Sequence, residues 1–450
     1  MDESIFKAYD IRGIYPEQID EEVAKKIAKA YAVVINPPGE IALGYDVRVH
    51  SHDMVTAVRQ GLMESGIKVV DIGLVSTDML YFAVGKYNLA GGIQLTASHN
   101  PKKWHGMKMV GKGVKPFTGD KEIAEIKKAA LRSEEVVRVG GGERKMEITN
   151  DYIDFMLAQL EDVSINPIKM VVNPNFGTAG KVFEKIVIRG KLPIEIVPVN
   201  MEPDGTFPNG KPDPQQMAKR MEMKASVTKS EADIGVSWDG DADRVFFYGK
   251  DGNLIEPYHI NTFLIADILK KYPKQAIVYD VRYTWALQDT IKARGGNPVI
   301  VKVGHSYIKE KMREVGAAFA AESSGHTYYK DFWQCDCGML PVMQLLKILT
   351  QNQITVGELV HPVVEMYPIS GEINRRVENP DEIMAKVKLK YADGEQTEID
   401  GLSVEYPLYR FNIRKSNTEP LFRLNLEAKS MELMKAKTAE VLDIIGGTEA

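Results

Sequence analysis

Apolar positions between residues 41 and 110 follow two alternating rhythms. Ile41-Ala42-Leu43-Gly44 is a short continuous apolar run and reads as a buried strand. From His52 to Ser65 the apolar residues Met54, Val55, Val58, Leu62 and Met63 fall at helical spacing, and Gly66 stops the pattern. Lys68-Val69-Val70-Asp71-Ile72-Gly73 is the next strand. Ala90-Gly91-Gly92-Ile93-Gln94-Leu95-Thr96 is another, and it runs straight into Ser98. Strand, helix and strand in that order predict a mostly parallel sheet with helices packed on it. In such sheets ligands bind beyond the carboxyl ends of the strands, where Ser98 stands.

Gly140-Gly141-Gly142 reads as a flexible linker, and the alternation restarts after it. Lys169 to Asn173 predicts a strand, Gly177 to Lys185 the opening of a helix, and Ala232 to Trp238 a strand that ends in a run of aspartates. A third round takes in Gln275 to Asp280, Val299 to Val303 and Ala317 to Glu322. From Ser370 the pattern changes. Charged strands, helices over Asp381 to Tyr391 and Ser430 to Ile445, and a strand over Pro420 to Leu426 predict a small α+β domain. The expected divisions are 1–145, 146–255, 256–368 and 369–450: three α/β domains with mixed sheets, then a C-terminal α+β domain.

The 450 residues suit this division: a prior of ~150 residues per domain gives about three domains, and four smaller ones also fit. A net charge of −5 argues against a general nucleic-acid binder and requires any anionic ligand to be met by local Arg and Lys. The acidic start, Met1-Asp2-Glu3-Ser4, lacks a signal-peptide pattern. No apolar run approaches the ~20 residues of a membrane span. The expectation is a cytoplasmic protein without nucleic-acid or membrane partners. Cys335 and Cys337 are the only cysteines and read as reduced structural thiols.

Four stretches carry candidate chemistry. Thr96-Ala97-Ser98-His99-Asn100-Pro101 offers a hydroxyl for phosphoryl transfer, against the plain reading of a capped turn. Lys108, and His99 or His105, are acid/base candidates beside it. Asp239-Gly240-Asp241-Ala242-Asp243-Arg244 offers hard oxygen ligands for a cation such as Mg²⁺. In an extended segment alternate side chains share a face, so the three aspartates are expected to converge. An EF-hand is excluded, since Arg244 and Lys250 stand where Gly and Glu are needed; a haloacid-dehalogenase-type phosphatase remains a competitor. Arg414-Lys415-Ser416-Asn417-Thr418-Glu419-Pro420, followed by Arg423, has the makings of a phosphate cradle or of a polar loop. Glu322-Ser323-Ser324-Gly325-His326 and Gly304-His305 offer groups for sugar hydroxyls or phosphate. Gly205 to Lys211 has P-loop spacing, but Pro212 replaces the Ser/Thr and Pro208 interrupts the loop.

Taken in order with Tyr9-Asp10-Ile11-Arg12-Gly13 and Asp204-Gly205-Thr206-Phe207-Pro208-Asn209, these motifs resemble the α-D-phosphohexomutase superfamily nearly end to end. The resemblance is strongest to the bacterial and archaeal phosphomannomutase/phosphoglucomutase branch. It implies four domains in a heart-like arrangement, each giving one loop to a central cleft. Ser98 would be the phosphoserine. Asp239, Asp241 and Asp243 would hold Mg²⁺ with an oxygen of that group. Arg12 and Arg244 would support the transferring phosphoryl, and Lys108 and His326 would act as acid or base. Glu322 and Ser324 would bind sugar hydroxyls. Arg414, Ser416, Asn417, Thr418 and Arg423 would hold the second phosphate, with Tyr9, Arg282, Gly304 and His305.

The resemblance further implies a hexose phosphate substrate, a hexose 1,6-bisphosphate primer and intermediate, and a monomer or small homo-oligomer. The C-terminal domain would hinge over the ligand to exclude water. Arg282 stands where the family often has Lys, and Lys415 where Pro or Ala is common. Thr96 leans to the mannose/glucose branch. Ser323 replaces the residue that tracks the sugar elsewhere, so phosphoglucosamine mutase stays open beside phosphomannomutase. A sugar-phosphate phosphatase and a sugar-phosphate sensor are the readings from other classes.

Overall fold

The computed structural model describes residues 1–134, 139–161, 163–415 and 421–449. These form two units, Met1–Ile255 with Gly325–Gln353, and Glu256–Ser324 with Ile354–Ala450.

The first unit holds two mixed sheets. In one the strand order is Ile11–Ile14, Trp104–Gly111, Gly91–Leu95, Ile41–Tyr45, Lys68–Leu74 and Gly142–Lys145. The last four run parallel, while Trp104–Gly111 is antiparallel to both of its neighbours, Gly91–Leu95 and Ile11–Ile14. Every residue of Gly91–Leu95 is buried, as expected of a strand covered on both faces. The helix predicted from 52 to 65 runs Ser51–Glu64. The helix Glu21–Ile35 packs with it and begins at Asp20, whose carboxylate accepts the Val23 amide at 2.8 Å.

The second sheet of this unit orders Leu254–Ile255, Val245–Tyr248, Ile234–Trp238, Ile168–Asn173 and Ile194–Pro198. Its last three strands are parallel, and Ile234–Trp238 is entirely buried. The expected helix from Gly177 runs Ala179–Gly190.

The second unit carries the parallel strands Asn297–Val301, Ala276–Asp280 and Phe319–Ala321. Its C-terminal part is an antiparallel sheet in which Tyr409–Lys415 and Leu421–Ala428 pair along their length, flanked by the helices Pro380–Lys390 and Met431–Ile445. Residue 420, the expected start of the last long strand, lies outside the described residues. Among the described residues no helix is long and apolar enough to cross a membrane.

The glycine run at 140–142 is corrected by the structure. Gly142–Lys145 is a strand, paired in parallel with Lys68–Leu74. A Cβ at Gly141 would lie 2.1 Å from the Met63 carbonyl oxygen, so glycine serves close backbone approach here rather than flexibility. Gly106 is tighter still. It pairs with Arg12, and an added Cβ would meet the Ile11 carbonyl oxygen at 1.9 Å. Gly106→Ala should therefore lower stability by about 2 kcal/mol or more. A fall in the urea midpoint at unchanged m-value would show it, and an unchanged midpoint would refute the packing argument.

Candidate active site

Two elements of the first unit bring the serine and aspartate motifs together. The strand Gly91–Leu95 ends in the loop that carries Ser98, and the strand Ile234–Trp238 ends in the aspartate loop. Ser98 sits at φ +50°, a left-handed conformation that costs a non-glycine residue about 1–2 kcal/mol and persists only where the surroundings impose it. The Ser98 amide donates to Thr96 Oγ1 at 2.8 Å, and Ser98 Oγ donates to Asp239 Oδ2 at 2.9 Å. The two loops are in close contact, since a Cβ at Gly240 would lie 2.8 Å from the Ser98 carbonyl oxygen and 2.9 Å from Pro212.

The aspartates converge as expected, but not through an extended pleat. The loop turns: the Ala242 amide donates to the Asp239 carbonyl at 3.2 Å, and Ala242 has φ +62°. One oxygen from each of Asp239, Asp241 and Asp243 lies within 4.8 Å of the others, and all three side chains are buried. Lys108 reaches in from the strand Trp104–Gly111, bonding Asp241 Oδ2 at 2.6 Å and Asp243 Oδ2. Burial opposes that ammonium, but the two carboxylates outweigh it and push its pKa up. Burial would also raise Asp243, yet Lys108, His326 and Arg244 hold it well below the carboxylate range. Asp239 has the opposite fate: burial, then Asp243 and Asp241, push it well up. Asp241 Oδ1 is buried without a hydrogen-bond partner. A surplus of buried carboxylate charge and an unsatisfied hard oxygen suit a divalent cation held by Asp239, Asp241 and Asp243.

The remaining predicted groups of this unit lie around the triad. The Arg244 amide donates to Asp239 Oδ1 at 3.3 Å, and its guanidinium Nε stands 3.7 Å from Asp239 and 4.0 Å from Asp243. Arg12 is braced by Asp10 at 2.7 Å and Asn100 at 2.6 Å. His326 Nε2 lies 3.4 Å from Asp243 and 3.9 Å from Asp336. His99 Nδ1 is 3.2 Å from Ser98 Oγ, and burial, then Arg244, Arg12 and Lys211, push its pKa well down. His105 is withdrawn from the chemistry. It is buried, its Nδ1 accepts the Gly106 amide, its Nε2 faces Ser51 Oγ at 3.1 Å, and burial drops its pKa to about 3. Tyr9 is half-buried.

In the second unit a separate cationic cluster forms. Arg414 and Arg423 stand directly opposite one another on paired strands, an unfavourable like-charge arrangement unless an anion lies between them. Glu372 supplies one. Its carboxylate accepts Arg414 Nη2 at 2.8 Å and lies 4.0 Å from both Arg423 Nε and Arg282 Nη1. Arg282 is also clamped by Asp280, with Nη2 at 2.8 Å, and is 3.6 Å from Glu322. Glu322 is buried and accepts the Gly304 amide at 3.3 Å. His305 begins the helix His305–Val315, with Lys309 Nζ 3.5 Å from its Nδ1; Ser324 is half-buried. Ser416, Asn417 and Thr418 lie outside the described residues.

Several residues with structural bearing on the site escaped the sequence. Thr77, at the start of the helix Thr77–Lys86, donates to Asp241 Oδ2 at 2.5 Å, and its amide donates to the Asp241 carbonyl at 3.0 Å. Arg410 donates to the Arg282 and Val281 carbonyls at 3.0 and 2.8 Å and pairs with buried Glu427, which accepts the Thr284 amide at 2.7 Å. The available signal was a charge inside a strand pattern, as at Arg410 and Glu427.

Four family models match the chain: phosphoglucomutase/phosphomannomutase alpha/beta/alpha domain I over residues 3–136, domain II over 150–252, domain III over 256–367 and the C-terminal domain over 372–444. A phosphomannomutase of Salmonella montevideo is 38% identical over 451 residues, covering 98% of this chain and 98% of its own. A phosphohexose mutase of Xanthomonas campestris pv. campestris is 36% identical over 446 residues, covering 98% of this chain and 99% of its own. The crystal structure of a phosphoglucomutase/phosphomannomutase family protein from Burkholderia thailandensis superposes with a TM-score of 0.88 at 30% identity, covering 100% of this chain and 99% of that one.

One residue behind the site reports on it through pH. Asp78, next to Thr77, is buried and accepts from Ser76 Oγ, Tyr152 OH at 2.6 Å and Cys337 Sγ at 3.1 Å. Burial lifts its pKa to about 6 despite those bonds. Folding therefore favours its protonated form: the stabilisation is full below the unfolded pKa and is lost as pH rises through about 6. Asp78→Asn, which does not ionise, should gain about 1.4 kcal/mol on the wild type between pH 5 and pH 8 in urea unfolding. A gap independent of pH would mean that Asp78 titrates normally.

Proposed function

This chain belongs to the phosphoglucomutase/phosphomannomutase family of isomerase-type phosphotransferases, and from that premise we propose that it is a Mg²⁺-dependent phosphomannomutase. It interconverts mannose 1-phosphate and mannose 6-phosphate through phospho-Ser98 and a hexose 1,6-bisphosphate, and it also accepts glucose phosphates. The observation that carries this reading is the bond from Ser98 Oγ to Asp239 Oδ2, within a buried carboxylate triad that Lys108 enters.

The cation, held by Asp239, Asp241 and Asp243, supplies charge neutralisation for the phosphoryl oxygens. The chain's own groups do the rest. The 6-hydroxyl oxygen of a hexose 1-phosphate attacks phosphorus, the bond from phosphorus to Ser98 Oγ breaks, the hydroxyl proton passes to His326, and Lys108, an ammonium between Asp241 and Asp243, gives a proton to the leaving Ser98 Oγ. Arg12 and Arg244 orient the transferring group by charge and hydrogen bonds. Reorientation of the bisphosphate exposes its 1-phosphate to Ser98, which takes that phosphoryl group back and leaves the 6-phosphate. Arg414 and Arg423, with Ser416, Asn417 and Thr418, take the phosphate not being transferred. Arg282, Gly304, His305, Glu322, Ser324 and Tyr9 contact sugar or phosphate. A cradle selective for phosphate and tolerant of sugar suits a substrate that binds in two orientations.

The sugar is tested by turnover. With Mg²⁺ and a trace of glucose 1,6-bisphosphate, kcat/KM for 6-phosphate formation is compared for mannose, glucose and glucosamine 1-phosphates. Preference for mannose or glucose is expected; preference for glucosamine would make the chain a phosphoglucosamine mutase. Ser98→Ala should cut turnover by about a thousandfold or more while sugar-phosphate binding persists. Release of inorganic phosphate undiminished by that change would instead identify a phosphatase using Asp239. Arg414→Ala should chiefly raise KM, since each charge-assisted phosphate bond lost is worth about 1.5–3 kcal/mol. An unchanged KM would place the phosphate elsewhere.

A further inference from the structure

Arg48 lies just past the strand Ile41–Tyr45, with 3% of its surface exposed. Its guanidinium is spent almost wholly on one loop. Nη2 donates to the carbonyls of Ser98 at 2.7 Å and Asn100 at 2.8 Å. Nη1 donates to those of Pro101 at 3.0 Å and Trp104 at 2.9 Å. Four inward-drawn carbonyls between residues 98 and 104 fix the backbone that gives Ser98 its left-handed φ and leaves its hydroxyl on Asp239. A guanidinium suits this task because its planar fork presents paired donors at fixed angles. A lysine ammonium has three donors on a single atom and does not span the same set.

Arg48 is itself held from three sides. The Asp46 carboxylate accepts the Arg48 amide at 3.0 Å and faces Nε at 3.3 Å. Ser51 Oγ donates to the same carboxylate at 2.9 Å, and the His105 Nε2 that faces Ser51 carries the hydrogen, because Nδ1 accepts a backbone amide. On the far side the Phe207 ring lies 5.1 Å from the guanidinium carbon, while Gly205 forms a bridge with Arg48 and leaves no room for a Cβ, which would stand 2.0 Å from the Val47 carbonyl oxygen. Gly205 and Phe207, which open the run to Lys211 whose spacing imitates a nucleotide loop, thus brace an arginine instead.

We propose that Arg48 is the positioning residue that presets the Ser98 loop for phosphoryl transfer. It bonds the loop's backbone, and its effect reaches the reacting atoms through the attitude of Ser98. The kinetic part of this inference rests on the mutase reading above; the structural part does not.

The test uses the full chain as Arg48→Lys and Arg48→Ala. In both, kcat should fall about 100-fold while KM for the hexose 1-phosphate moves less than about threefold, since a displaced nucleophile loses rate rather than binding. Guanidinium chloride at about 10 mM should restore roughly tenfold in Arg48→Ala, by refilling the vacated site, and nothing in Arg48→Lys. A kcat within about threefold of wild type in either variant overturns the proposal, as does a fall in kcat matched by an equal rise in KM. If Arg48→Ala does not fold, Arg48→Lys decides alone. If the wild type interconverts no hexose phosphate, the mutase reading fails by itself. The Arg48 inference is then judged by the crystal structure of Arg48→Lys: a displaced loop with the Ser98 carbonyl turned away supports it, and an unmoved loop overturns it.

Discussion

Three carboxylates buried within reach of one another set the terms for the first unit. Unit charges about 4 Å apart interact by about 4 kcal/mol even at an effective dielectric of 20. Asp239, Asp241 and Asp243 therefore endure only where positive charge is delivered to them. Lys108 brings it from the middle of a strand and Arg244 from the end of the same loop, while His326 Nε2 faces Asp243 from Gly325–Gln353, a segment distant in sequence. Much of the local architecture follows. Lys108 is buried because its partners are, Thr77 turns its hydroxyl to Asp241, and Asp239 keeps the serine hydroxyl as a neutral partner.

The second unit solves a related problem with opposite signs. Its arginines at 282, 414 and 423 gather around Glu372, and the loop that presents Arg282 is secured from behind by Arg410 and Glu427. Arg410 donates to loop carbonyls much as Arg48 does in the first unit. Both sites are thus supported by an arginine that spends its donors on main chain. A fork of donors pins a loop without requiring it to adopt regular structure.

Local rules carried the sequence a long way. The strand into Ser98, the strand into the aspartates and the helices at 51–64, 380–390 and 431–445 follow from periodicity and caps, which act within a few residues. Ser98 and the three aspartates stood out because their motifs follow strands, whereas Arg12, Arg244 and His326 came only with the family resemblance. What stayed hidden depends on partners far along the chain. Gly140-Gly141-Gly142 looks like a linker until Met63 is seen against it. The aspartates converge through a turn around Ala242 that no pleat rule foresees. Arg48 and Thr77 carry no local signal, because their partners lie 50 and 164 positions away in the Ser98 and aspartate loops.

Gly240 links the serine and aspartate loops in a different sense. The space where its side chain would stand is shared by the Ser98 carbonyl and the Pro212 ring, so three loops remote in sequence meet around one missing atom group. None of them can drift alone. A change in the backbone of one is tolerated only if the others yield in step, so over generations these segments should vary together or not at all. Related proteins would then inherit the serine loop, the aspartate loop and the Pro212 segment as one block, while the cationic cluster of the other unit remains free to diversify.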